Sequence, residues 1–200
     1  EFVRHVYRTG MPRLRQSNGL QAHRPLPGFY WSGDTPMRCL NQCVEQVSRS
    51  GHAHHIQRLM VLGNFALIAG VDPVEVNDWF LATFVDALDW VVTPNVMGMS
   101  QFSDLGSFTS KPYAASGKYI DRMSDYCSSC VYDVKSVSAE NSCPFNSLYW
   151  SFIDRHQERW TTNHRMAMIT SVWAKRDMKV RSQILERADD VLGRLSQGML

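Results

Sequence analysis

Cys39 stands alone early in the chain, and Cys127, Cys130 and Cys143 follow as a C-x2-C-x12-C run. Deprotonated sulfur gathered at such spacing selects zinc or an iron–sulfur cluster, because soft thiolates favour those metals over hard cations. Structural zinc usually takes two close pairs, or one pair with histidines. Three clustered cysteines plus a remote one, with Pro144 directly after Cys143, suit a [4Fe–4S] cluster better. Cys43 lies one helical turn after Cys39 and competes for the remote position. The other uses of these residues are small buried hydrophobes or disulfides; cysteine content is far below that of a disulfide scaffold, and the first residues carry no apolar signal run. A second group is His54, His55 and Arg58. A buried guanidinium must be paired, and Asp86 and Asp89, three apart, are both natural partners. Two adjacent histidines diverge by about 100° on a helix, so at most one faces a given site squarely.

The elements that must position these groups read as helices joined by irregular loops. Residues Glu1 to Met11 read as the middle of a helix, so a fragment of something longer is expected. Gly19, Pro25, Pro27, Gly28 and Gly33 make Gln16 to Thr35 a connector. Met37, Leu40, Val44 and Val47 recur at helical spacing, with Cys39 and Cys43 close to that face. Ala53 to Ala69 is apolar apart from His54, His55, Gln57, Arg58 and Asn64, as in a helix buried on most sides, and Gly70 suits its C-cap. Asp72-Pro73-Val74-Glu75 supplies an N-cap, a first-turn proline and a capping-box acid, so a helix should run from there to about Trp90. Val92 to Lys118, with Pro94, Gly98, Gly106, Pro112 and Gly117, has no period and reads as a long functional loop, Pro94-Asn95 being a turn. Pro144 to Trp160 and Met178 to Leu195 read as two further helices. Strand signals are weak throughout, so the fold class is all-α.

Composition bounds the answer. The 200 residues are 44% apolar and 20% charged with a net charge of +2, which suits one globular domain and permits nucleic-acid binding without requiring it. No apolar run is long enough for a membrane span, so no membrane partner is expected and the cytoplasm is the expected location.

Ala53-His54-His55-Ile56-Gln57-Arg58-Leu59-Met60, followed by Gly63-Asn64-Phe65, resembles the FAD-binding helix of the photolyase/cryptochrome superfamily. Trp31-x-Gly33-x-Thr35-x-Met37 looks like the opening of the same domain, Asp89 with Pro94-Asn95 resembles its acid-then-asparagine flavin contact, and Tyr119-Ile120 with Arg122 resembles its closing segment. Together with the cysteines and Met123-Ser124-Asp125-Tyr126-Cys127, the pattern is most similar to the bacterial iron–sulfur branch, the (6-4) photolyases and related cryptochromes. The resemblance covers nearly the whole chain and implies that residues 1–200 are the C-terminal, all-α part of a FAD-binding catalytic domain. Full-length members also carry an N-terminal antenna domain that binds a lumazine chromophore, and that domain is expected to be absent from this chain.

The resemblance also implies roles. It implies a light-driven DNA-repair lyase that transfers an electron from reduced FAD to a (6-4) pyrimidine photoproduct in UV-damaged DNA, and that is a monomer when full length. His55, with His54 beside it, would be the proton donor, a task that suits imidazole. Arg58, Asp86, Asp89 and Asn95 would contact the flavin, Asn95 at N5, while Asn64 is either a flavin contact or a backbone cap. Trp79 and Trp31 would carry electrons, with Phe80 where relatives can have tyrosine. Lys111, Tyr113 and Tyr119 would wall the lesion pocket. Cys39, Cys127, Cys130 and Cys143 would hold the cluster. Two other readings stand beside this one: a cryptochrome-type photoreceptor of the same fold without repair, and a helical iron–sulfur module that binds nucleic acid. Arg155, Arg159, Arg165, Lys175 and Arg176 suit phosphate contacts or a solvated helix face.

Overall fold

Apolar residues at three- and four-residue spacing should bury one face of a helix, and α3 (Arg38–Ser50) buries Leu40, Val44 and Val47 together with Cys39 and Cys43. The computed structural model describes residues 1–200, of which 59% are helical with no strand; two isolated bridges join Arg24 to Val71 and Asp133 to Ser142. The all-α expectation therefore holds. Helix α1 (Phe2–Gly10) lies on the surface with no buried residue. The connector after it contains one short helix, α2 (Phe29–Ser32), because Phe29 and Tyr30 are buried and the Tyr30 hydroxyl donates to Leu62 O at 2.7 Å.

The histidine-bearing helix starts at His55 and not at Ala53. It runs as a π-helical segment (Gln57–Gly63) into α4 (Asn64–Ala69), and every residue from Leu59 to Ala69 is buried. Gly70 closes it in the left-handed region, with φ of 75°. The next helix, α5 (Pro73–Thr83), begins as expected, with Asp72 Oδ1 accepting from Val74 N–H at 2.8 Å. Its Glu75 does not close a capping box; it accepts from Leu26 N–H at 2.6 Å and ties the connector down.

Two expectations fail in the following stretch. The helix ends at Thr83 instead of Trp90, because Phe84 turns inward to pack on Trp79 and Phe80 and Val85 N–H bonds to Gly51 O at 3.0 Å. The stretch beginning at Val92 is no loop at first: α6 (Asp89–Pro94) passes through Pro94 into a second π-helical segment (Asn95–Ser100). Proline interrupts an α ladder by lacking an N–H. Here Asn95 repairs the ladder, its backbone N–H bonding to Val92 O and its side-chain amide to Val91 O at 2.7 Å.

The two π-segments cross at Gly63. Gln101 Nε2 donates to Gly63 O at 3.0 Å and to Ser100 Oγ at 2.8 Å, and a Cβ at Gly63 would stand 2.1 Å from Ser100 Oγ and 3.0 Å from Arg58 O. Gly63→Ala is expected to destabilise the fold by about 1–3 kcal/mol through overpacking, read as a lower urea midpoint; combination with Ser100→Gly should recover part of the loss.

Helix α7 (Gly117–Met123) and a 3₁₀ turn (Tyr126–Ser129) lead into the cysteine segment. Helix α8 (Pro144–Arg155) packs on α4 and on the last helix and buries Phe145, Leu148, Phe152 and Ile153. The expected single helix to Trp160 is broken at His156, whose φ of −111° and ψ of 17° leave the helix before α9 (Gln157–Trp160). Helices α10 (Ala167–Ala174) and α11 (Met178–Ser196) complete the chain. No helix is long and apolar enough to cross a membrane.

His156 packs between Phe152 and Trp160, with ring centroids at 5.0 and 5.7 Å. That burial, and then the charges of Arg155 and Arg159, hold its pKa down at about 4. An unfolded histidine titrates near about 6.5, so the unfolded chain takes up the proton first. Stability from this site is complete above that value and is lost as pH falls toward 4. The melting temperature should drop between pH values of about 7 and 5, and His156→Gln should flatten that dependence.

Candidate functional site

Both π-segments contribute to one cavity of about 180 Å³. His55, Arg58 and Leu59 come from the first, Phe80 from α5, Val91 and Val92 from α6, and Asn95, Val96, Met99 and Ser100 from the second. Such interruptions of the α ladder recur at functional sites because they re-aim side chains out of the regular helical stripe. Of the residues singled out from sequence, His55, Arg58 and Asn95 meet here. Met99 and Ser100 were missed because helix was not expected to continue past Pro94.

Arg58 is fixed from three sides. Its Nη atoms meet both oxygens of Asp86 at 3.0 and 2.9 Å, Nε donates to Ala53 O at 2.8 Å, and the guanidinium lies 4.1 Å from the Phe84 ring centre. The Arg58 hydrogen bonds hold the Asp86 carboxyl below the usual carboxylate range. Asp86 is therefore the partner, and Asp89 is not. Asp89 accepts from Tyr7 Oη at 2.7 Å and from Thr93 Oγ1, with Arg15 at 3.7 Å, so it fastens α1 to α6 outside the cavity. Asn64 resolves in the same way: fully buried, it exchanges bonds of 2.9 and 3.0 Å with the Ala115 backbone and donates to Met60 O, which makes it a backbone clasp and not a cavity residue.

The other predicted residues are more dispersed. His54 is exposed and heads the helix, its Nδ1 accepting from Ile56 N–H at 3.2 Å, while His55 reaches the cavity. Trp79 is buried, donates to Tyr30 O at 2.9 Å, and meets Phe80 and Tyr30 edge-on at 5.1 Å each. Phe80 thus stands between Trp79 and the cavity, and Trp31, 60% exposed, reaches solvent next to Tyr30. Lys111 and Tyr113 are exposed, Tyr119 is half-buried beside Arg122, and none of the three lines the cavity. Among the basic residues, Arg155 donates to Ile68 O at 3.2 Å and Arg176 covers Trp150 at 4.3 Å.

Cys39, Cys127, Cys130 and Cys143 wall one apolar hollow with Met37, Ile120 and Phe145, and Cys43 is not among its lining residues. Cys43 is fully buried and donates to Tyr126 Oη at 3.8 Å, so the remote position in the hollow belongs to Cys39. Two devices shape the hollow. Asn146 accepts from Gly117 N–H at 3.0 Å and donates to Val134 O and Ser136 O at 2.9 and 2.7 Å, and a Cβ at Gly117 would stand 2.8 Å from Cys143 Sγ. Burial, reinforced by the neighbouring cysteines, pushes the Cys39 thiol well above its ordinary value; burial leads in raising Cys127 to about 11 and Cys143 to about 12. A metal centre would have to displace those protons. No three His, Cys, Asp or Glu side chains stand close enough together to hold a metal ion; the four cysteines line the hollow, and soft sulfur donors of that kind favour thiophilic metals.

No protein-family profile matches the chain. It is 47% identical over 195 residues, 98% of its length, to a curated protein of Agrobacterium fabrum named (6-4) photolyase. The alignment covers 38% of that relative, so the chain spans well under half the length of the protein it matches. It is also 29% identical over 136 residues, 68% of its length, to an uncharacterized protein of Acanthamoeba polyphaga mimivirus that is covered in full.

Proposed function

The chain belongs to the photolyase/cryptochrome family, and we propose that it forms part of the flavin-holding helical domain of a light-driven enzyme that repairs (6-4) photoproducts in UV-damaged DNA. The observation that supports this most is the convergence of His55, Arg58 and Asn95 on one cavity between two π-helical segments. At about 180 Å³ the cavity is smaller than a whole drug-sized ligand needs, about 300–1,000 Å³. It suits one edge of a ring system, so this chain supplies one wall of the site. FAD, when bound, reduced and excited by light, supplies the electron that starts repair.

The chain's own residues do the rest. Leu59, Phe80, Val92 and Val96 exclude water from the ring edge. Arg58, locked on Asp86, keeps a positive charge beside it without reorganisation. Asn95 uses its amide N–H on Val91 O and so presents its carbonyl oxygen as an acceptor for a ring N–H. His55 holds a proton at the exposed rim, where an extruded lesion would arrive, and delivers it as general acid. Trp79 with Phe80, and Trp31 at the surface, form the aromatic route toward solvent. Lys111, Tyr113 and Tyr119 offer stacking faces and a cation to the flipped bases. The four hollow-lining cysteines would hold a [4Fe–4S] cluster that clips the start of α3 to the segment before α8.

The test uses the full-length protein. Its absorption spectrum should show flavin bands and a broad iron–sulfur shoulder, with iron and sulfide quantified. An oligonucleotide carrying one (6-4) lesion should lose it under blue light and keep it in the dark. Flavin binding without light-dependent loss of the lesion would replace repair by photoreception, and absence of flavin would remove both.

A further inference from the structure

A helix start leaves its first N–H groups unsatisfied and frays unless it is capped. His54 is the cap here, and Gln57 completes a capping box: the His54 side chain accepts from Ile56 N–H at 3.2 Å, while His54 N–H donates to Gln57 Oε1 at 2.8 Å. The other end of the Gln57 amide is held as well. Nε2 donates to Tyr126 Oη at 2.9 Å and to Gln46 Oε1 at 3.0 Å. Tyr126 lines the cysteine hollow, accepts from Cys43 Sγ and immediately precedes Cys127. One amide group thus bonds at one end to the backbone that launches His55 and at the other to the cysteine loop, 69 residues away.

We propose that Gln57 is a positioning residue, coupling the cysteine-bearing loop through Tyr126 to the helix start that aims His55 into the cavity. The proposal rests on the reading of His55 as proton donor. A glutamine that only capped the helix would leave its Nε2 end free and its long side chain mobile. Anchoring that end on Tyr126 and Gln46 makes the cap rigid, and with it the direction of the next residue. Reactions between positioned groups are sensitive to such geometry, a misplacement of about 1 Å costing about a hundredfold in rate. The arrangement gives the cysteine loop an influence on chemistry at a site that it does not touch.

The experiment uses full-length, flavin-loaded protein and reads four quantities: single-turnover repair of a (6-4) oligonucleotide, affinity for that oligonucleotide, iron content, and amide hydrogen exchange over residues 54–58. Gln57→Leu should slow repair by about ten- to a hundredfold, with affinity and iron content unchanged and exchange at 54–58 accelerated. Gln57→Glu keeps one oxygen for His54 N–H and another for the Tyr126 hydroxyl, and should restore most of the rate. Tyr126→Phe leaves the capping box whole and cuts only the coupling. It should slow repair by about three- to tenfold, and it carries the test if Gln57→Leu proves insoluble. Wild-type rates and exchange in both Gln57→Leu and Tyr126→Phe, with His55→Ala inactive, would overturn the proposal. Full repair by His55→Ala would instead remove the reading of His55 on which it rests; exchange at 54–58 then reports separately whether loop and helix start are linked.

Discussion

Replacement of His55 by alanine is expected to slow light-driven repair by about two to four orders of magnitude, the range a positioned general acid supplies, while flavin content and affinity for damaged DNA stay at wild-type values. The reason is placement. His55 is the histidine that lines the cavity with Arg58 and Asn95, and no other titratable side chain of this chain lines it apart from Arg58, a residue type that stays protonated at working pH and does not release a proton. His54→Ala is the matched control. Its side chain takes the Ile56 N–H while Gln57 still holds the His54 backbone N–H, so the variant should lose about 1 kcal/mol of stability as a removed N-cap does and slow repair far less than His55→Ala, by no more than a loosened helix start costs. Single-turnover assays on both variants decide the assignment, and an inactive His54 variant beside an active His55 variant would exchange their roles.

The second large effect concerns the cysteines. Cys39→Ala should yield protein without iron that fails to stay soluble, whereas Cys43→Ala should keep its iron and lose only about 1 kcal/mol for a trimmed core side chain. The two residues are one helical turn apart and both buried, but they face different neighbours: Cys39 opens on the hollow and Cys43 on Tyr126. The loss at Cys39 should be of the order of the whole stability of a domain, about 5–15 kcal/mol. Between α7 and α8 the chain has one short 3₁₀ turn, the bridge of Asp133 to Ser142 and the Asn146 bonds to order it. Soluble yield with iron and sulfide analysis checks both variants, and an iron-loaded Cys39→Ala protein would dismiss it as a ligand.

How far these residues were legible in the sequence depends on the kind of signal each carries. Helices α3 and α11 announce themselves by apolar periodicity, α5 and α8 by a proline in the first turn, and the end of α4 by Gly70. The C-x2-C-x12-C run is local, and only the partner at Cys39 needed a long-range guess. The π-segments were not legible, because a hydrophobic pattern scored at the α period has no feature that marks an extra residue in one turn. Pro94 looked like a terminator, and nothing local says that the Asn95 side chain repairs the break that it makes. Asn64, open between a flavin contact and a backbone cap, and Asp89, one of two candidate partners for Arg58, could not be settled from sequence for one reason: each is engaged by a residue far along the chain, Ala115 and Tyr7 respectively, and such pairings leave no trace in spacing. Asp86 and Asp89 were indistinguishable until the premature end of α5 at Thr83 separated them.

Helix α1 buries no side chain, yet it and the turn after it reach α6, which leads directly into Asn95, by Tyr7 on Asp89, Arg15 near the same carboxylate and Arg4 at 5.0 Å from the Trp90 ring. A tether made of charge and dipole, with little grease in it, weakens as ions crowd around it, since exposed charges are screened once the Debye length falls to their separation, about 3 Å at 1 M salt. Concentrated brine would therefore act on the cavity at a distance, slackening the grip on α6 and so the backdrop of Asn95, while the buried aromatic interior stays as it was. In this molecule the ionic strength of the medium is a handle on one wall of the site.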